Sequence, residues 1–455
     1  MHEISLLRFN ALAAYCRTPE IVLISEELRW YEAADGQILA TLIRDYTDSD
    51  YSGMILARDE RECFRWVSDG GWHDTEAEAI EALERKIEEI IPNLERIRKQ
   101  GSKGKPVDFF TPRPKLKQPL DNAFQAVTSL EGYTPAKNII EPMMRWHEDA
   151  DGNFIEQFQT TGFDARIWEL YLFAVLTEAR FAFDRSVAIP DFVCKGILGE
   201  LCVEATTVNP TRDKSNNIVP PPQCKTEEEF FALQDNYFPI KYAGPLTAKL
   251  DKRYWEKESA QGKPFVIAIQ DFHSPMAMNL SRGALPTYLY GYKHNVKRSE
   301  SGELIIEPVK VDNHIWGSKN IESGFFNFEG AENISAVIFN SSATISKFNR
   351  LGLLAGFGSP RVKLLREGLV VDQDPNASSP KEFSMLVNSH DYHESWIEGM
   401  DVYHNPRALH PLPPEMLMGA AHHRLLPDGQ VESIGPGWQP LASVTKIFID
   451  EETAA

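Results

Sequence analysis

Between residues 20 and 100 the apolar positions change period. IVLISEELRWYEA and QILATLIRD flank Asp35-Gly36, a dipeptide that favours the positive φ of a two-residue hairpin. YSGMILARD and ECFRWVS follow with partial alternation, so this stretch predicts a β-meander. From Thr75 the spacing becomes three and four: Ile80, Leu83, Ile87, Ile90, Leu94 and Ile97 make one stripe on a helix. Thr75-Glu76-Ala77-Glu78 is a capping box that starts the helix, and Pro92 should kink or split it. The stripe most simply packs on the meander; a coiled-coil partner is the rival arrangement. Residues 1–100 are therefore expected to form an accessory domain.

From Arg96 to Lys117 the pattern stops. RIRKQGSKGKPVDFFTPRPKLK sets eight cationic side chains against one acid, Asp108, and cannot build a core. Residues 101–118 read as a linker, with a second reading as a phosphate-contact segment in which Phe109 and Phe110 stack on bases. Beyond it, Ala136 to His147 suggests a helix interrupted near Pro142, and Asp151-Gly152 a turn.

The stretch Phe163 to Pro210 organises the remainder. Asp164 can cap a helix whose segment Ile167–Leu176 holds no Gly or Pro and one charge, Glu169. A helix apolar on nearly all sides is buried, so that carboxylate needs a partner. Two β-like runs follow, Ser186 to Cys194 and Glu200 to Val208. A hairpin centred on Ile197 and Leu198 puts Asp191 opposite Glu204, with Cβ atoms about 5 Å apart. Opposed carboxylates repel unless a cation sits between them. Two carboxylates completed by water and substrate phosphate describe a Mg²⁺ (or Mn²⁺) site. Thr206 shares the face of Glu204.

A helix Glu, then Pro-Asp at a strand, then Glu-x-x in the next strand resembles the PD-(D/E)xK nuclease superfamily. The matching residues are Glu169, Pro190-Asp191 and Glu204-Ala205-Thr206. The resemblance covers roughly residues 154–271 and implies an α+β class: a restriction-endonuclease-like α-β-β-β-α-β core. A helix opening at Pro245 and the strand Pro264 to Ile269 fit that order. Thr206 departs from it, standing where the family has its lysine. In some branches the following helix supplies that lysine, and Lys249 and Lys252 are available there. The resemblance thus implies metal-dependent phosphodiester hydrolysis of nucleic acid, DNA ahead of RNA. Asp191 and Glu204 would be metal ligands, with Glu169 completing the shell directly or through water. Lys249 or Lys252 would orient or activate the nucleophilic water. The alternative is a catalytically inactive nucleic-acid-binding or scaffold protein that keeps the fold. The stretch Gly324 to Arg350 also resembles a bacterial protein family, a likeness that carries no activity with it.

Lys249, Lys252 and Arg253 fall on one helical face by spacing and could contact the nucleic acid, as could Thr206. Ile334 to Phe339 reads as a buried strand, and the hydroxyls after it with Lys347 and Arg350 could hold a phosphate. GLLAGFG lacks the spacing of a dinucleotide fingerprint. His390, His393, His404, His410, His422 and His423 lie among prolines, which predicts an extended wrapping tail over 381–455 behind a nuclease-like domain spanning 119–380. Zinc at those histidines is a weaker reading, because no HExxH is present.

Composition changes this picture little. At 455 residues two or three domains fit, and 42% hydrophobic with 25% charged residues is ordinary for a globular chain. Five spaced cysteines without a CxxC pair suit a reducing cytoplasm, and no leader-like start or long apolar run points to secretion or a membrane. A net charge of −19 argues against a passive nucleic-acid coat, though a local basic patch and a bound metal set the sign at a site. Neither composition nor pattern decides between a monomer, a homo-oligomer and a complex with a partner protein.

Overall fold

The computed structural model describes residues 1–146 and 152–451. Strand β1 (His2–Ile4), helix α1 (Leu6–Ala13) and strands β2 (Ser25–Ala33), β3 (Ile38–Asp45), β4 (Tyr51–Arg58) and β5 (Phe64–His73) begin the chain. The strands form an antiparallel sheet in the order β1-β2-β3-β4-β5. Helix α2 (Glu76–Ile90) starts where the Thr75 hydroxyl accepts the Glu78 N–H at 3.3 Å. It lays Leu83, Ile87 and Ile90 on Ile38, Ala40, Leu42 and Ile55, so the apolar stripe faces the meander. Pro92 splits the helix: a 3₁₀ turn, Ile91–Asn93, separates α2 from α3 (Leu94–Arg98). The β2–β3 connection differs from expectation. It is a four-residue loop, Ala34 to Gln37, in which Ala34, Asp35 and Gly36 all take positive φ.

Helices α4 (Asn122–Ser129), α5 (Thr134–Trp146), α6 (Phe154–Gln159) and α7 (Phe163–Glu178) follow. Pro142 sits inside α5 without ending it, because the helix is held by its buried face. His147 and Asp151, the end of the expected helix and the start of the expected turn, lie outside the described residues. Helix α7 begins at Phe163, so Asp164 lies in its first turn and is not its cap. Ten of the sixteen α7 residues are buried, and Trp168 donates to the Ala268 carbonyl at 3.1 Å.

Next come β6 (Ala182–Phe183), β7 (Phe192–Gly196), β8 (Gly199–Val208), α8 (Glu227–Ala232), α9 (Phe238–Asp251) and β9 (Phe265–Asp271). A π-helical turn, Leu233–Tyr237, joins α8 to α9. The helix expected to open at Pro245 therefore starts seven residues earlier, with Pro245 in its interior. The chain continues through α10 (Ala277–Ser281), α11 (Ala284–Tyr290), the hairpins β10 (Tyr292–Arg298)/β11 (Leu304–Lys310) and β12 (Asn313–Trp316)/β13 (Lys319–Glu322), then β14 (Ala336–Asn340) and α12 (Ile345–Leu354). Last are β15 (Val362–Val370), β16 (Lys381–Leu386), β17 (Met400–His404), β18 (Ala421–Leu425), β19 (Val431–Ile434) and β20 (Pro440–Ile449).

The molecule is α+β, and its centre is an eight-stranded sheet in the order β19-β18-β17-β14-β9-β8-β7-β6. β6, β7 and β8 form an antiparallel meander, while β8, β9 and β14 run parallel. All seven residues of β9 are buried, as expected for a strand covered on both faces. One face carries α5, α7 and α12 through Ile140, Trp168 and Phe348. The other carries α9 and α11 through Leu246, Leu250 and Leu285. A Cβ at Gly352 would stand 2.2 Å from the Pro135 carbonyl oxygen, so the first glycine of GLLAGFG lets α12 approach α5.

The C-terminal segment is not an extended tail, and the expected boundary at 380 cuts through a sheet. β17, β18 and β19 complete the central sheet, and β20 pairs with β15. All five residues of β17 are buried; the flanking prolines mask a core strand.

Candidate functional site

The β7–β8 turn holds Ile197 and Leu198, with Gly196 paired to Gly199 and Phe192 to Val203. One step further along that register sets Asp191 beside Glu204. The Asp191 N–H donates to Glu204 Oε2 at 3.2 Å, and the Ala205 N–H donates to Asp191 Oδ2 at 2.7 Å. Each carboxylate is thus held by the main chain of the other's strand. Glu204 is buried, 4% exposed, on the sheet face covered by α9, and from that helix Lys249 binds Glu204 Oε1. Asp191 stands at the rim with an exposed edge. Glu169, from α7, is held by Arg166 one turn earlier.

These groups raise the Asp191 carboxyl from its usual 3.8 to about 7. Crowding by protein contributes most, then the charges of Glu204 and Glu169; Lys249 and the Ala205 N–H oppose the rise. Near neutral pH the folded chain therefore holds a proton that the unfolded chain has released. That contribution to stability is present at low pH and is lost as pH rises through about 7. In metal-free buffer, Asp191→Asn should raise the melting temperature relative to wild type more at pH 8 than at pH 5. An equal offset at both pH values would show that the carboxyl is not shifted.

The other expected site residues fall elsewhere. Lys252 closes α9 as an exposed cap with its ammonium 5.3 Å from the Tyr254 ring, and Arg253 has left-handed φ and pairs with Glu256. The expected basic face stops because the helix ends at Asp251. Thr206 is half-buried on β8 beside Ile269. Lys347 and Arg350 do not face a surface anion, contrary to expectation. Both are buried; Lys347 Nζ lies 3.1 Å from Glu394 Oε1, and Arg350 makes two 2.8 Å bonds to the same carboxylate. No surface phosphate can reach them. Phe109 is buried and Phe110 packs edge-on against Phe158, so neither ring is free to stack on a base.

The histidines are mostly structural. His404 Nε2 meets His422 Nδ1 at 2.9 Å, and burial first, then His422, pushes His404 down to about 4. His423 bonds Asp401 at 3.1 Å, whereas His390 and His393 are exposed and lie on no helix. Among the described residues no group of three His, Cys, Asp or Glu side chains is arranged to hold a metal ion.

One constellation was not anticipated. Asp271, buried at the end of β9, accepts from His273 Nδ1 at 2.7 Å and from the Ser281 hydroxyl at 2.6 Å; Tyr242 bonds that hydroxyl at 2.7 Å. Its only advance signal was the polar step from Ile269 to Asp271 at the end of an apolar run.

Comparison with protein-family models, with curated proteins and with solved structures gives no match for this chain.

Proposed function

We propose that the chain is a divalent-cation-dependent phosphodiesterase acting on nucleic acid, built on a restriction-endonuclease-like core. The observation that carries the reading is the paired clasp of Asp191 and Glu204 across β7 and β8, with Lys249 laid on Glu204. The order α7, β6, β7, β8, α9, β9 supports it: an antiparallel meander, a crossover containing α9, and a fourth strand parallel to the third.

The donor set fits Mg²⁺ or Mn²⁺. Both groups are hard carboxylates, and Mg²⁺ is held by one or two of these plus water and phosphate. No hydrogen bond among the described residues reaches Asp191 Oδ1, which leaves an oxygen at the exposed rim for a cation. Glu169, engaged by Arg166, suits a water-mediated role better than direct ligation. When bound, the ion lowers the pKa of a coordinated water and stabilises charge on the phosphate.

The chain's own residues supply the remainder. Asp191 must lose its proton to bind a cation, so cation affinity strengthens as pH rises toward about 7. Lys249 takes the place of the missing strand lysine, its ammonium fixed by Glu204 where it can orient a water or a phosphate oxygen. Thr206 can hydrogen-bond but neither carries charge nor accepts a proton near neutrality. That substitution favours a second reading, a non-catalytic nucleic-acid-binding protein. Hydrolysis of bis(p-nitrophenyl) phosphate and of plasmid DNA, with Mg²⁺ or Mn²⁺ and with EDTA, separates the two. The enzyme reading expects cation-dependent cleavage that EDTA stops; binding without cleavage supports the second.

A further inference from the structure

We propose that the basic segment from Lys99 to Lys117 is a fixed contact strip for a nucleic-acid backbone. The proposal rests on the nuclease reading for its choice of polyanion.

In a chain of net charge −19, this segment and the turn before it gather eight cations against one carboxylate. Arg98 is bound by Glu62. Arg96, Lys99, Lys103, Lys105, Arg113, Lys115 and Lys117 are exposed, and among the described residues none of them forms an ion pair. The nearby carboxylates are taken by main-chain groups: Asp59 and Glu60 accept the Ser102 and Gly104 N–H groups, and Asp108 accepts those of Phe110 and Thr111.

The segment is also held in place, unlike a linker. Gly101 lies so close to Asp59 that an added Cβ would stand 2.4 Å from the Asp59 Cβ, and Ser102 donates its N–H to Asp59 Oδ2 at 3.1 Å. Phe109 is buried in the main core. Gln159, fully buried at the end of α6, clamps the chain on three sides. It donates to the carbonyls of Phe109 (3.0 Å) and Thr111 (2.9 Å) and accepts the Arg113 N–H at 2.8 Å. Cations whose backbone is already ordered lose less entropy on meeting a phosphate.

The same helix end also meets α7. Gln157, two residues before Gln159, accepts from Arg166 Nε at 3.0 Å, and Arg166 also binds Glu169, whose charge acts on Asp191.

The test uses the full chain with six charges removed (Lys99→Gln, Lys103→Gln, Lys105→Gln, Arg113→Gln, Lys115→Gln, Lys117→Gln) and a melting curve to verify folding. Binding of a 20-base-pair duplex, without divalent cation, is measured from 50 to 200 mM salt. Each lost phosphate contact lowers the slope of log K against log salt by about 0.9. Four lost contacts lower it by about 3.6, so wild type should lose roughly 150-fold more affinity over that range than the variant. An unchanged slope overturns the proposal, whatever happens to catalysis. Wild-type binding to phosphatidylserine vesicles but not to the duplex overturns it in favour of a membrane surface. Hydrolysis of bis(p-nitrophenyl) phosphate by wild type judges the carboxylate site separately, since that small diester cannot span the strip.

Discussion

Glu204→Gln should reduce cation-dependent diester hydrolysis by at least about 10²–10³-fold, the usual cost of removing a group that stabilises charge in a transition state. The side chain is 4% exposed and both its oxygens are used, one by Lys249 and one by the Asp191 N–H. Glutamine keeps the shape and an oxygen for that N–H, so the strand pairing survives. It removes the negative charge that shares a cation with Asp191 and fixes the Lys249 ammonium. Two consequences separate this loss from misfolding: the melting curve should hold, and the Asp191 carboxyl should titrate lower, because the Glu204 charge is the second-largest contribution to its rise. Full activity in this variant would place the chemistry elsewhere.

The largest effect on stability is expected from Glu394→Ala. Its carboxylate is enclosed, accepting from Lys347, twice from Arg350, and from the Tyr392 hydroxyl at 2.6 Å; Arg366 lies 3.7 Å away and bonds Glu398 at 2.6 Å. Burial alone would raise the Glu394 carboxyl, but Arg350, Arg366 and Lys347 outweigh it and hold it well below the usual range. Truncation strands the buried cations Lys347 and Arg350 around a void, while Arg366 keeps Glu398. Breaking a buried pair in this way costs about 3–5 kcal/mol, enough to unfold many domains at 37 °C. Denaturant midpoints read the loss directly; a change below about 1 kcal/mol would mean that water reaches the cluster and solvates it. The cluster ties α12 and β15 to the segment entering β17, so the C-terminal strands should loosen first. Because the Glu394 carboxyl is depressed, its contribution is present above the usual carboxylate range and is lost as pH falls below it.

What could be read from the chain follows from how local each cause is. A two-residue turn fixes strand register, so the symmetry of Asp191 and Glu204 about Ile197 and Leu198 was legible without coordinates. Lys249 was legible as a cation on the helix after the hairpin. Lys252 and Arg253 were assigned to the same face only because the end of α9, a matter of one residue, is weakly encoded. Lys347 and Arg350 could not be read correctly. Their partner Glu394 is more than forty residues away in sequence, and a lone cation after a strand looks like an anion contact until that partner is seen. The C-terminal strands were hidden for a related reason: MDVYH is too short and polar to announce a core strand, and its burial comes from pairing with β14 and β18. Phe109 and Phe110 looked available for stacking because the buried Gln159 that pins their backbone lies some fifty residues downstream.

Catalysis at this site requires a divalent cation bound between Asp191 and Glu204, and Mn²⁺ titration followed by electron paramagnetic resonance measures that binding directly. Wild-type protein at pH 8 should take up one Mn²⁺ per chain, competed by Mg²⁺, and the double variant Asp191→Asn, Glu204→Gln should take up none at that site. Identical uptake by the double variant and the wild type would contradict it.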